Sequence, residues 1–246
     1  MRQQIDTIPV IEAFETTDEC PLCALERKTE QRCIRYVLGP GNAYMEPEVR
    51  YHTDRQGFCR DHIKKLYDYH NPLGCGLVMQ SWLRRLRREF GEQKPKFRFK
   101  RRLFAKKNGP DPFISWGRGK LGSCYICKNF DENMRRYYAT FFYLCKDPEF
   151  KAQVEKSKGF CMRHFMELLE RGEKELWGKD RQWFLDTVFP LMEENLSRMQ
   201  AELDWYTEKF DYKNSKADWG TSRDALQRAI QKYQGLYPAD PPYKMD

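Results

Sequence analysis

The chain has 246 residues, 40% of them hydrophobic and 33% charged, with a formal net charge of +8. That is material for one large core or two smaller ones, and no apolar run approaches the ~20 residues of a membrane span, which excludes an integral helical membrane protein. Nine cysteines lack the spacing of a secreted disulfide framework, and the opening residues lack the basic-then-apolar pattern of a secretory signal, so a reducing, cytoplasmic setting is expected.

Residues 1–19 hold the short apolar segment Ile5-Asp6-Thr7-Ile8-Pro9-Val10-Ile11, which its length and its proline predict to be an extended arm. Cys20-Pro21-Leu22-Cys23 then opens a helix, from about Pro21 to Leu38, stopped by Gly39-Pro40-Gly41. A return helix is predicted over Pro47 to Gln56. Gly57-Phe58-Cys59-Arg60-Asp61-His62 leads a helix to about Tyr69, ended by Asn71-Pro72, and a further helix covers Leu73 to Phe90, with Leu77, Val78, Trp82, Leu86 and Phe90 on one face.

The composition changes over 84–120, where 14 Lys and Arg against three acidic residues give a net +11. Phe97, Phe99, Phe104, Phe113 and Trp116 are interleaved with that charge. We read 93–120 as a basic connector. Lys100, Arg101, Arg102, Lys106 and Lys107 are its candidate nucleic-acid contacts, through attraction to phosphate and stacking on unpaired bases. The bland alternative is a solvated face that packs its rings onto neighbouring helices, and an acidic protein is the other partner such charge would suit.

The plan then repeats. Cys124-Tyr125-Ile126-Cys127 stands 104 positions after the first Cys-x-x-Cys, and Gly159-Phe160-Cys161-Met162-Arg163-His164 stands 102 after the first Gly-Phe-Cys. Helices are predicted from about Ser123 to Cys145, Pro148 to Lys158 and Phe160 to Arg171, the last ended by Gly172. A long helix runs from Gly178 to about Tyr212, with Phe189, Met192, Leu196, Met199, Leu203, Tyr206 and Phe210 alternating 3 and 4 apart. Such a seam serves the core of an intrachain bundle or a homodimer coiled coil over 189–210. A last helix spans Thr221 to Gln234, with Thr221 and Asp224 as its start signal, and the tail from Tyr237 is proline-rich.

Each copy supplies three thiols and one imidazole, the complement of a closed tetrahedral Zn²⁺ site. The expected ligands are Cys20, Cys23, Cys59 and His62 for one ion and Cys124, Cys127, Cys161 and His164 for another, two Zn²⁺ per chain. Ligands at i and i+3 in the first turn of a helix point the same way, and the positive N-terminus favours thiolates. Asp18 and Ser123 are the expected caps. Asp61, beside His62, is read as a solvated charge or a partner of that histidine. A catalytic dithiol would need a βαβ context that is missing, and haem attachment would need His where Ala24 and Lys128 stand. An iron–sulfur cluster remains the rival for the same ligands. Cys33, Cys75 and Cys145 fall outside the register and are read as small buried hydrophobes. His52 and His70 are read as ordinary surface or core residues.

The fold expected is all-α: two tandem helical repeats, 1–92 and 121–212, each stapled by its own three-Cys one-His site and joined by the connector, with 213–246 as C-terminal helix and tail. The chain also resembles a bacterial family of uncharacterised function. The likeness runs through Asp6 to Val10, Glu19-Cys20-Pro21-Leu22-Cys23, Gly39-Pro40, Ala43-Tyr44-Met45-Glu46-Pro47, Val49-Arg50, Gly57 to His62, Leu73-Gly74 and the second motif pair. It implies a cytoplasmic helical protein and carries no activity across. With no Ser-His-Asp arrangement, no phosphate-binding glycine loop and no His-Glu-x-x-His, the chain is read as non-enzymatic: an adaptor or nucleic-acid-associated factor, with a redox- or metal-responsive switch as the alternative.

Overall fold

Helix boundaries in this chain are set by prolines and by the Cys-x-x-Cys and Cys-x-x-His motifs. In the computed structural model, which describes residues 6–98 and 110–235, the elements are α1 (Thr7–Phe14), α2 (Pro21–Leu38), α3 (Pro47–Gln56), α4 (Arg60–Asp68), α5 (Pro72–Gln93), α6 (Pro112–Gly122), α7 (Tyr125–Leu144), α8 (Pro148–Lys156), α9 (Met162–Glu175), α10 (Gly178–Glu208) and α11 (Ala225–Gln234). Short 3-10 turns join some of them, and no strand occurs among the described residues. Proline stands at the first position of α2, α3, α5, α6 and α8, where its missing N–H costs no helical bond. None of the described helices is long and apolar enough to cross a membrane.

Several expectations are corrected. Residues 7–14 form a helix and not an extended arm. Pro9 sits in the first turn, where it is tolerated, and Thr7, Pro9, Val10, Ala13 and Phe14 are buried. The Phe14 ring lies 5.0 Å from Phe150, 5.8 Å from Phe141 and 6.2 Å from Phe160, so tertiary docking holds a helix too short to persist alone. Burying one such side chain contributes about 1.5–3 kcal/mol.

Part of the basic connector is α6, capped by the Asp111 carboxylate accepting from Phe113 N at 2.8 Å. Phe113 and Trp116 pack edge-on with Phe90, and Phe97 packs on Phe113. Three of the five interleaved rings therefore stack on protein; Lys100, Arg101, Arg102, Lys106 and Lys107 lie outside the described residues. Gly172 does not stop its helix, because α9 continues to Glu175 and Gly172 packs closely against Phe184 and Phe142. The last helix begins at Ala225, not Thr221, and Arg228 takes the Thr221 carbonyl.

The predicted seam on α10 divides. Met192 and Met199 are buried, with Phe184, Val188, Leu191 and Asn195, whereas Phe189, Leu196 and Phe210 are exposed. The buried face packs within the chain against α8 and α11. Cys33 and Cys145 are buried and Cys75 half-buried.

The described chain divides into two units, 6–28 with 133–235, and 29–98 with 110–132. This replaces the tandem halves 1–92 and 121–212. The division falls inside α2 and α7. The first is built on the rings of Phe14, Phe141, Phe142, Phe150, Phe160 and Phe184, packed mostly edge to face. The second has its own core of Ile34, Val37, Leu38, Tyr44, Leu66, Tyr69, Val78 and Ile126.

Candidate metal centres

All four ligand pairs are built alike. Cys20, Cys59, Cys124 and Cys161 each stand one residue before a helix, and each carbonyl accepts the first helical hydrogen bond, from Ala24, Ile63, Lys128 and Phe165 respectively. The second ligand follows three positions on, in the first turn. For Cys124 and Cys161 the sulfur accepts the amide of that second ligand, Cys127 N or His164 N, at 3.4 Å. The cysteine itself is thus the cap. Asp18 instead accepts from Cys20 N at 3.3 Å, and the Ser123 hydroxyl donates to the Gln56 carbonyl.

Gly57 and Gly159, two residues before Cys59 and Cys161, adopt φ of 66° and 71°. A side chain is strained in that region, and at Gly57 a Cβ would also sit 2.7 Å from Trp82 Nε1.

The ligands converge crosswise. Cys20 and Cys23 meet Cys161 and His164, and Cys124 and Cys127 meet Cys59 and His62. The expectation that each copy encloses its own ion is therefore corrected. The reason is the length of the legs: α2 has 18 residues and α3 ten, α7 has 20 and α8 nine. At 1.5 Å per residue the outgoing legs rise about 27 and 30 Å and the return legs only about 15 and 13 Å, so neither copy brings its Cys-x-x-His back to its own Cys-x-x-Cys.

In the first unit His164 Nδ1 lies 3.3 Å from Cys20 Sγ, 3.4 Å from Cys23 Sγ and 3.2 Å from Cys161 Sγ, and Cys23 and Cys161 sulfurs are 3.6 Å apart. In the second unit His62 Nδ1 lies 3.1 Å from Cys59 Sγ, 3.4 Å from Cys124 Sγ and 3.3 Å from Cys127 Sγ, with Cys59 and Cys127 sulfurs 3.8 Å apart. Both histidines thus offer Nδ1 and turn Nε2 away. His62 Nε2 pairs with Glu30 Oε1 at 3.0 Å. His164 Nε2 faces Glu26 Oε1 at 3.2 Å, too obliquely for a well-formed hydrogen bond.

Glu26 and Glu30, one turn apart on α2, thus face the outward nitrogens of the two rings, and the Glu30 hydrogen bond fixes the tautomer of His62. Only the i, i+4 spacing of two carboxylates after Cys23 hinted at them; Asp61, the sequence candidate, is exposed. Burial would raise the Glu26 carboxyl, but His164 and Arg163 outweigh it and hold it below the ordinary range.

Before metal binds, the clusters titrate together. Burial pulls His62 down, yet the Cys124 thiolate and Glu30 push it up to about 10. The same opposition raises His164 to about 12 through Cys161, Cys20 and Glu26. Burial raises Cys124, but His62 and the backbone amides bring it down to about 6. Cys127 is pushed up, by burial and then by Cys124. Cys23 is also pushed up, by the hydrogen bonds and charge of Cys161 and Cys20 and by burial.

The first centre has a further shell. Glu19, next to Cys20 and 1% exposed, pairs with Arg198 at 2.5 Å and Arg228 at 3.2 Å, with Lys158 and Lys232 each at 3.6 Å. Burial would raise this carboxyl, but Arg198 and the lysines hold it low. Lys232 of α11, itself buried, donates to the carbonyls of Glu19 at 3.0 Å and Lys158 at 2.6 Å. It thereby ties together the two segments that lead into Cys20 and Cys161. His52 and His70 belong to neither cluster.

A family model for a family of unknown function, DUF6062, matches residues 1–240. The chain belongs to that family. No curated protein and no solved structure matches it. Membership agrees with the resemblance read from the motifs, and the function of this member rests on its own residues.

Proposed function

We propose that each cluster holds one Zn²⁺ as a structural ion, and that the protein is a non-enzymatic zinc-stapled helical scaffold of a reducing, cytoplasmic setting. The spacing of the donor atoms carries this reading. A tetrahedron with Zn–S of about 2.3 Å and Zn–N of about 2.0–2.1 Å has S···S edges of about 3.8 Å and S···N edges of about 3.5 Å. The clusters have S···S distances of 3.6 and 3.8 Å and S···N distances of 3.1–3.4 Å.

The sulfurs are too far apart for disulfides, and all donor atoms in a cluster lie within 4.8 Å of one another. An iron–sulfur cluster distributes its ligands over two or more irons and spreads them wider than one ion does. Three thiolates and an imidazole also suit zinc among divalent ions and leave no coordination position for a reacting water. The work of such a site is to join helices.

The net +11 of residues 84–120 gives the scaffold an attraction for polyanions, nucleic acid or an acidic protein surface, and this is the adaptor role we infer. Metal analysis of protein purified without chelator tests the core of the proposal. Two zincs per chain are expected; iron with visible absorbance, or fewer than two metals, would replace it. Binding to RNA, DNA and an acidic protein at ~50 mM salt, where electrostatic association is favoured, tests the adaptor role, which absence of all binding would remove.

A further inference from the structure

The two ligand sets are chemically identical but unequally shielded. In the first unit all four ligands are buried, Cys20, Cys161 and His164 completely. The end of α11 closes over them: a Cβ at Gly235 would lie 3.2 Å from Cys161 Sγ, and Lys232 bridges the segments on either side. In the second unit His62 and Cys124 are buried, but Cys59 and Cys127 are only half-buried. Their sulfurs are 3.8 Å apart and come from different segments, the residue before α4 and the first turn of α7.

A thiolate meets a dissolved oxidant only where its sulfur is accessible. We propose that Cys59 and Cys127 form an oxidation site through which the second unit loses its metal on reaction with hydrogen peroxide while the first unit keeps its own. The inference rests on the zinc reading and adds a difference to it: both ions join helices, and the one in the second unit is also released on oxidation.

The chemistry balances with the peroxide as oxidant. The Cys127 thiolate attacks one peroxide oxygen, the O–O bond breaks, and the departing hydroxide takes a proton to become water, leaving a sulfenic acid. The Cys59 thiolate then attacks that sulfur, forming the disulfide and expelling a second hydroxide, which is also protonated to water. Two electrons pass from the two sulfurs to the peroxide. The disulfide would leave only Cys124 and His62 to hold an ion, too few to retain it. The sulfurs must approach from 3.8 Å to the ~2.05 Å of a disulfide, a movement of side chains at two helix starts.

The test uses the full chain loaded with two zincs and treated with hydrogen peroxide in small steps, with released zinc read by a chromogenic chelator and thiols mapped by mass spectrometry. The expected result is loss of one zinc in a distinct fast phase, a Cys59–Cys127 disulfide, and unmodified Cys20, Cys23 and Cys161. Lys232→Met, which removes the bridge over the first centre, should make the second zinc labile as well and leave the fast phase unchanged. Release of both ions together, oxidation of Cys20, Cys23 or Cys161 first, or no release before general unfolding overturns the inference and leaves the zinc reading intact. A starting content other than two zincs overturns both.

Discussion

Cys161→Ser separates crosswise from own-copy pairing. The substitution removes a thiolate from a cluster whose other members are Cys20, Cys23 and His164, so one zinc should be lost and Cys20 and Cys23 should become free thiols. Treating the metal as a cross-link, the bridge from Cys23 to Cys161 closes a loop of about 140 residues, which by the chain-entropy relation contributes about 5 kcal/mol. A bridge from Cys127 to Cys161 within one copy would close about 34 residues and contribute about 4 kcal/mol. A contribution of 5 is a large share of the roughly 5–15 kcal/mol that holds a typical domain together. Zinc content falling from two to one, followed by alkylation and hydrogen exchange, gives the readout. Cys20 and Cys23 should alkylate rapidly and amides of 6–28 and 133–235 lose protection, while Cys124, buried in the intact second cluster, stays protected. Rapid alkylation of Cys124 with protected Cys20 and Cys23 would refute the crosswise arrangement.

Zinc affinity should rise steeply with pH. At pH 7 the metal-free second site carries protons on His62, raised to about 10, and on Cys127, while Cys124, at about 6, has already lost its own. Binding releases at least two protons, so log K should climb by about two per pH unit between pH 6 and 10; chelator competition showing a flat profile would contradict the assigned protonation. Glu30→Gln should weaken the second site and Glu26→Gln the first, by about 10–100-fold each, with unchanged affinity in competition titrations excluding the carboxylates from the role given them. Gly57→Ala, at φ 66° and ψ −156° with Trp82 in the way, should cost about 1–3 kcal/mol in urea unfolding. Gly76→Ala, in open space on α5, should instead stabilise by about 0.5–1 kcal/mol; equal effects would mean the Gly57 backbone is not held as described.

Much of the helical layout was legible because its signals are local. Pro21, Pro47 and Pro148 each open a helix, and the bounds Pro21–Leu38 and Pro47–Gln56 match the sequence reading. The four ligand pairs were legible for the same reason: an i, i+3 pair in the first turn of a helix is one-sided whatever surrounds it. The helix at 7–14 was not, since eight residues with a proline have no helical preference of their own and gain it by placing Phe14 among Phe141, Phe150 and Phe160. Nor were the Glu26 and Glu30 contacts, because a carboxylate on an exposed-looking helix turn carries no mark of the histidine that will face it.

What the sequence by itself determined is that the chain is helical and carries two sets of three thiols and one imidazole. Which thiols share a cluster was decided by tertiary structure alone. The spacing of a motif fixes geometry only over a few residues, whereas partnership across 138 positions depends on where rigid legs of unequal length end. A 27 Å helix followed by a 15 Å return leaves the second ligand pair short of the first, and the pair that it meets comes from the other copy.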